Sequence, residues 1–273
     1  MCIFKKKIPP VIITPSLVSL WSKDFTKDQF SWNDFSPLSG KGMRGLYPDY
    51  QERCIFLKDN VLQTKEGLEL SVSTGSAIKS DWQSNGYYTF DWLKGKYNFC
   101  GQIVSWNPIT QTGRLLYPGQ KISWVVKMPP LGYTYFPALW LFRALFGPQQ
   151  PEVDFELFGS ESNPYQIGGP SNYMKFSYHY RDTHYSKGYT FPYDLSTAFH
   201  TYSFVWNVKY IAWEVDGIEM FRVTDHLPID PMLWIANMQS GSETSYYPAY
   251  THVFTKAEEG AKMIIKSVNI YQL

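Results

Sequence analysis

The hydrophobic and polar positions of this chain follow the two-residue period of β-strands and almost nowhere the period of an amphipathic helix. Apolar residues recur in short runs that end at clusters of Gly, Pro, Asn and Asp, a pattern typical of strands joined by turns. The predicted strands are 60–64, 67–72, 122–127, 138–142, 173–180, 201–206, 211–215, 218–223, 232–238 and 263–271. Many short strands with turns between them predict an all-β sandwich or barrel.

Two parts of this pattern carry additional information. Residues 138–142 are nearly all apolar, so we expect that strand to be buried on both faces. Asp216-Gly217 separates two predicted strands, and this dipeptide is a strong signal for a tight β-hairpin.

The chain is predicted to be one domain over residues 1–273. It contains no linker, low-complexity tract or internal repeat, and its length suits a single all-β unit. Residues 1–20 are left open as an N-terminal extension. Their basic start precedes an apolar stretch, but Pro9, Pro10 and Pro15 interrupt it and no clear cleavage site follows, so no convincing signal peptide is predicted.

Composition and charge exclude several classes of function. Lys and Arg number 25 against 24 Asp and Glu, so no basic excess is available to bind nucleic acid. No apolar run of 18 residues exists, and we expect no membrane span. The three cysteines lack zinc-site spacing, so no metal ligands are predicted. Gly40–Gly45 matches a dinucleotide-binding motif by letters only, because no strand precedes it and no helix follows.

The stretch 151–159 carries the candidate chemistry. As a strand, it places Glu152, Asp154 and Glu156 on one face and apolar residues on the other. Three neighbouring carboxylates repel one another, which raises the pKa of at least one of them. A protonated acid beside an ionised carboxylate is the pair that glycoside hydrolysis uses. The alternative is an ordinary solvated strand face, but charged residues are scarce in this chain and aromatic residues make up 18%.

These residues resemble the catalytic signature of glycoside hydrolase family 16, which includes lichenases, laminarinases, agarases and xyloglucan endotransglycosylases. Further segments resemble family strands in order and spacing: Phe136–Leu141, Phe199–Trp206, Ile211–Gly217 and Pro231–Asn237. The resemblance covers roughly residues 97–241, and the last predicted strand also fits.

The resemblance implies a concanavalin A-like β-jelly roll, a sandwich of two curved antiparallel sheets with the acids on the concave face. It assigns Glu152 as nucleophile and Glu156 as acid/base, with Asp154 between them tuning the nucleophile. Residues four apart on a strand have Cα atoms about 13 Å apart, whereas a retaining pair needs carboxyls about 5–5.5 Å apart. The two side chains must therefore lean together on a curved strand.

The implied function is a retaining endo-acting glycoside hydrolase that cleaves a β-1,3-glucan, a β-1,3/1,4-glucan or a related galactan. A family-16-like transglycosylase and a non-catalytic carbohydrate-binding jelly roll remain as alternatives. The unbulged acid strand resembles that of lichenases and xyloglucan-active members, while Pro137-Ala138-Leu139-Trp140 is laminarinase-like, so the substrate stays open. The expected partner is an extracellular polysaccharide or an oligosaccharide, and the expected state is a monomer. The location of the protein itself is left unknown.

Four residues are candidates for substrate binding: Trp140, Asn237, Gln239 and His179. The ring of Trp140 would stack on a sugar, the two amides would hydrogen-bond hydroxyls, and the histidine would border the cleft. Each has a structural alternative, as a core aromatic residue, a turn-stabilising amide or a structural histidine. No cofactor is expected, although a structural Ca²⁺ is left open.

Overall fold

The computed structural model describes residues 17–32, 34–35, 54–56, 58–75, 97–107, 112–130, 135–143, 151–158, 171–240 and 259–273. Within these ranges the regular structure is β-strand apart from one short 3₁₀ turn, Lys58–Asn60. The first strands are β1 (Val18–Asp24), β2 (Cys54–Phe56), β3 (Val61–Thr64), β4 (Gly67–Gly75), β5 (Tyr97–Cys100), β6 (Gln102–Val104), β7 (Trp106–Asn107), β8 (Thr112–Gly113) and β9 (Gln120–Lys127). The remaining strands are β10 (Tyr135–Arg143), β11 (Glu152–Phe158), β12 (Tyr173–Tyr180), β13 (Thr183–Thr190), β14 (His200–Asn207), β15 (Tyr210–Val215), β16 (Ile218–Val223), β17 (Met232–Ser240) and β18 (Lys262–Gln272).

Sixteen of these strands form two large sheets. The ten-stranded sheet has the order β16-β15-β14-β9-β18-β4-β5-β2, with β1 added to β18 and β3 added to β4. The six-stranded sheet has the order β13-β12-β11-β10-β17-β6, and β7 and β8 form a separate ribbon. The pairs within these described sheets are antiparallel, except for the parallel pair of β2 with β5. The predicted all-β jelly-roll class is confirmed.

Aromatic side chains fill the space between the two sheets. Phe155 of β11 contacts Phe204 of β14 with ring centroids 4.5 Å apart. Trp234 of β17 meets Trp124 of β9 edge to face at 6.0 Å. All four are fully buried, and burying one such side chain stabilises the fold by roughly 1.5–3 kcal/mol. The core therefore holds β11 firmly against the ten-stranded sheet.

The ten strands predicted from alternation are all present, and each ends within three residues of its predicted bounds. Residues 138–142 are buried, as expected for a strand covered on both faces. The predicted hairpin joins β15 to β16, with φ of 51° at Asp216 and 78° at Gly217. Positive φ at both central residues is the geometry that matches the twist of a two-residue hairpin.

Several strands were not predicted, and two of them show why. β1 has mostly exposed residues, and its first residues belong to the segment left open as an N-terminal extension. It nevertheless pairs with β18 along its length. β13 is a polar edge strand with most positions exposed. A strand that buries few side chains lacks the alternation on which the prediction depends.

Three further expectations concern the motif at 40–45, the cysteines and a membrane span. The motif at 40–45 lies outside the described residues. Among the described cysteine side chains, that of Cys100 is buried. The described residues contain no helix long and apolar enough to cross a membrane.

Candidate active site

The three acids lie on one face of β11, in the middle of the six-stranded sheet. Val153 and Phe155 point into the core with no exposed surface, so the period of the strand turns Glu152, Asp154 and Glu156 to the opposite face. Glu152 and Glu156 are half-buried, whereas Asp154 is only 5% exposed. The predicted division of this strand into an apolar and an acidic face is therefore present.

Strand β12 places three polar residues beside the three acids. The register pairs Glu152 with His179, Asp154 with Ser177 and Glu156 with Lys175. The hydroxyl of Ser177 donates a hydrogen bond to Oε2 of Glu156 at 3.0 Å. Nε2 of His179 lies 3.7 Å from Oδ2 of Asp154.

Burial and like charge change the acidity of two of these carboxyls. Loss of solvent raises the pKa of Asp154 well above its ordinary value, and the neighbouring charges of Glu152 and Glu156 raise it further, while Lys175 lowers it. Burial also raises the pKa of Glu156, against the lowering effects of Lys175 and of the hydrogen bond from Ser177. The site thus favours protonated carboxyls, the form that a general acid needs.

Strand β10 supplies the other side of the site. Its register places Trp140 opposite Asp154 and Ala138 opposite Glu156. Trp140 is 8% exposed, and its indole Nε1 donates a hydrogen bond to Oδ1 of Asn237 at 3.2 Å. The amide of Asn237 donates in turn to Oε1 of Gln102 at 3.4 Å. This buried chain of polar groups fixes the indole beside the acids.

The substrate-binding candidates fall into three groups. Trp140 and His179 flank Asp154. Asn237 lies on the same face, but its side chain is 1% exposed and bonded to other residues of the protein. Gln239 pairs with Phe136 through β17 and β10, and its side chain lies outside the described residues.

A residue of the opposite sheet holds the acid strand in place. The indole Nε1 of Trp213, on β15, donates a hydrogen bond of 2.8 Å to the backbone carbonyl of Asp154. Both groups are buried. Trp213 packs in the core, and this bond gives it the additional task of positioning the middle acid.

Sequence reasoning did not single out Ser177, Lys175 or Gln102. The first two alternate with the apolar residues of β12, which was the available signal. Which acid each one faces depends on the register between β11 and β12. That register is a long-range property that alternation does not specify.

One set of groups at the site has the composition of a metal site. Donor atoms of Glu152, Asp154 and His179 lie within 4.8 Å of one another. Two carboxylates and an imidazole do not match Ca²⁺, which takes six to eight oxygen ligands. These residues therefore do not provide the structural Ca²⁺ site that was left open.

Comparison with known proteins gives relatives over part of the chain. A region of 80 residues is 38% identical to a xylanase/β-glucanase of Ruminococcus flavefaciens, covering 29% of this chain and 9% of that protein. A region of 96 residues is 31% identical to a β-glucanase of Paenibacillus polymyxa, covering 35% of this chain and 37% of that protein. The matches thus span well under half of either relative.

Solved structures share the fold over nearly the whole chain. The catalytic domain of an endo-1,3-β-glucanase (laminarinase) from Thermotoga petrophila superposes with a TM-score of 0.69 at 19% identity. The superposition covers 94% of this chain and 98% of that one. The family model for glycosyl hydrolases family 16 matches residues 110–263, more than half of the 273 residues and including the acid strand. The chain therefore belongs to glycosyl hydrolases family 16.

Proposed function

We propose that this protein is a retaining endo-β-glucanase in which Glu152 and Glu156 carry out a double displacement. The observation that carries the proposal is the acidic face of β11, where half-buried Glu152 and Glu156 flank a buried Asp154. The folded chain shields Asp154 from water and places the hydroxyl of Ser177 and the ammonium of Lys175 beside Glu156. A solvated strand face without a function would leave its carboxylates exposed to water.

Glu156 is the acid/base. Its raised pKa keeps a larger fraction of the carboxyl protonated, so it can protonate the glycosidic oxygen as the bond breaks. In the second step the same group, now a carboxylate, removes a proton from the attacking water.

Glu152 is the nucleophile that attacks the anomeric carbon and forms the glycosyl-enzyme intermediate. Asp154 supports it: the pKa of Asp154 lies well above its ordinary value, and the oxygens of the two groups lie within 4.8 Å of each other. A protonated Asp154 therefore leaves only one negative charge on the pair and carries a hydroxyl proton that it can donate to Glu152. His179, which pairs with Glu152 in the register of β11 and β12, borders the nucleophile.

The substrate is a β-1,3-glucan or a mixed β-1,3/1,4-glucan. Support comes from the relatives, which are described as β-glucanases and as an endo-1,3-β-glucanase. Trp140 and Asn237 form the floor of the site beside the acids. Gln239 lies on β17, the strand that carries Asn237. Because Trp140 has little exposed surface, we assign it to shaping the floor as well as to contacting sugar.

The test follows hydrolysis of laminarin, mixed-linkage glucan, xyloglucan, agar and carrageenan, with proton NMR of the first products. We expect cleavage of the first two and retention of the anomeric configuration. Glu152→Gln and Glu156→Gln should each reduce kcat by at least about 10²-fold. Glu219→Gln, which removes an exposed carboxylate paired with Arg222 on β16, is the matched control and should be fully active.

Four outcomes would contradict the proposal. An inverted product would exclude double displacement, and near-parental activity in either active-site variant would exclude its assigned role. Cleavage of agar or carrageenan alone would replace the glucan with a galactan. Products longer than the substrate would identify the transglycosylase alternative, in which a sugar hydroxyl replaces water.

A further inference from the structure

A groove lies at the edge of the sandwich, away from the acidic face. It has a volume of about 790 Å³ and is open to solvent. β1, the segment after it, and the region around β7 and β8 form its walls. Its lining includes Trp21, Asp28, Gln29, Asp34, Trp106 and Arg114.

The register of the strands separates this groove from the catalytic acids. β11, β10, β17 and β6 are consecutive neighbours in the six-stranded sheet, and β7 follows β6. Three strand spacings, about 14 Å, separate β11 from β6, the strand that leads to Trp106. Trp21 belongs to the ten-stranded sheet, and none of the lining residues belongs to β10, β11, β12 or β17.

The lining combines aromatic rings with planar polar groups. Trp21 and Trp106 are each half-buried, packed against the core with part of the ring exposed. Gln29 and Arg114 are exposed and supply hydrogen-bond donors, and Gln29 also supplies an acceptor. Sugars present flat C–H faces to aromatic rings and hydroxyl edges to such planar groups.

The charges of the groove balance one another. Lys23 pairs with Asp34 at 3.4 Å, and Oδ2 of Asp28 accepts the backbone N–H of Asp24 at 2.8 Å. Arg114 is the remaining cation of the lining. Two cations and two carboxylates leave no net charge, which suits a neutral ligand and disfavours a phosphorylated or sulfated one.

We propose that this groove is a second polysaccharide-binding site, which holds a segment of neutral β-glucan outside the catalytic cleft. The choice of glucan as the occupant rests on the proposed function. The volume lies within the 300–1,000 Å³ typical of ligand pockets, and the open side lets a polymer enter and leave. A second contact raises the effective concentration of polymer at the enzyme, while an oligosaccharide too short to reach both sites gains nothing.

The experiment measures binding to insoluble β-1,3-glucan by co-sedimentation in a Glu152→Gln background, which prevents digestion. Trp106→Ala, Trp21→Ala and the double variant Gln29→Ala/Arg114→Ala are compared with Tyr117→Ala. Tyr117 is an exposed aromatic residue, 46% accessible, that does not line the groove. Each groove variant should weaken binding about fivefold or more, and Tyr117→Ala should not.

The same substitutions in the active enzyme should leave kcat/KM for a short glucan oligosaccharide within about twofold of the parent. The Gln29/Arg114 variant changes exposed side chains only, so it keeps the test valid if a tryptophan variant fails to fold. Unchanged polymer binding in that folded variant would overturn the proposal, as would equal losses on polymer and short oligosaccharide. Polymer binding that depends on the groove in a protein that hydrolyses no glucan would refute the proposed function and retain the second site.

Discussion

Ser177 and Ser186 face each other across β12 and β13, yet only Ser177 reaches an acid of the site, through its 3.0 Å hydrogen bond to Glu156. That bond stabilises the carboxylate and holds the pKa of Glu156 below the value that burial alone would produce. A single hydroxyl thus sets part of the pH range in which the proposed acid remains protonated.

Replacing Ser177 with Ala should therefore raise the pKa of Glu156. Because Glu156 must be protonated for the first step, the basic limb of the kcat/KM profile should move to higher pH. Ser186→Ala, at an exposed position on the neighbouring strand, is the control and should leave the profile unchanged. A basic limb that stays fixed or moves to lower pH in Ser177→Ala would show that Glu156 is not the acid that titrates there.

Alternation along 151–159 was enough to predict which residues share the acidic face, because the side-chain period of a strand is a local property. It was not enough to predict that Asp154 is the most buried of the three acids. That burial comes from Trp140 and Ser177, which lie on neighbouring strands in a register fixed by the whole sheet. The local pattern determines which residue types share the acidic face, and long-range packing determines how deeply each of the three carboxyls is buried.

Among the elements, β11 is anchored from both sides of its own sheet and from the sheet opposite. The bond from Trp213 to the carbonyl of Asp154 is the cross-sheet part of this anchorage. It fixes the backbone at the centre of the acidic face, where a small displacement would change the distance between Glu152 and Glu156.

Trp213→Phe should destabilise the protein and reduce activity, because it keeps an aromatic ring and removes the donor. The matched control is Trp124→Phe, since Trp124 is equally buried and its indole nitrogen has no hydrogen-bond partner among the residues that the structure describes. The unfolding free energies of the two variants, from urea titration, should differ by about 1–3 kcal/mol. Equal losses of unfolding free energy in the two variants, with equal activities, would show that Trp213 contributes by packing and not through this hydrogen bond.

Element by element, the sequence predicted strands that bury one face and overlooked strands that bury little. β1 and β13 are stabilised by backbone pairing with β18 and β12, and backbone hydrogen bonds leave no trace in side-chain alternation. The hairpin at Asp216-Gly217 was predictable because positive φ at both positions restricts the residues that fit.

For the whole molecule, the acidic face makes the free energy of unfolding depend on pH. Asp154 has a pKa raised above its ordinary value of 3.8, so the folded chain holds this proton more tightly than the unfolded chain. The resulting contribution to stability is complete below the unfolded pKa and is lost as the pH rises through the folded pKa. Glu156, whose pKa is also raised, acts in the same direction.

Asp154→Asn should remove the contribution of that residue. We expect the unfolding free energy of the variant minus that of the parent to increase as the pH rises from 3 to 8, because only the parent loses the contribution of Asp154. Activity should fall because Glu152 loses its protonated neighbour. Asp24, whose pKa is lowered to about 2 by Thr26 and Lys27, has the opposite dependence and is common to both proteins. A difference in stability that is independent of pH would mean that Asp154 titrates alike in the folded and unfolded chains.

The position of β18 has a consequence for how the molecule is made. On one edge β18 pairs with β9, and on the other it pairs with β4 through residues 262–265 and with β1 through residues 267–272. β18 is synthesised after every other described strand. The edges of β1, β4 and β9 that pair with it therefore stay unpaired until it emerges from the ribosome. Such long-range closure slows folding and exposes edges that promote aggregation. The ten-stranded sheet is therefore completed late, and the interval before β18 arrives is when a nascent chain of this fold most depends on chaperones.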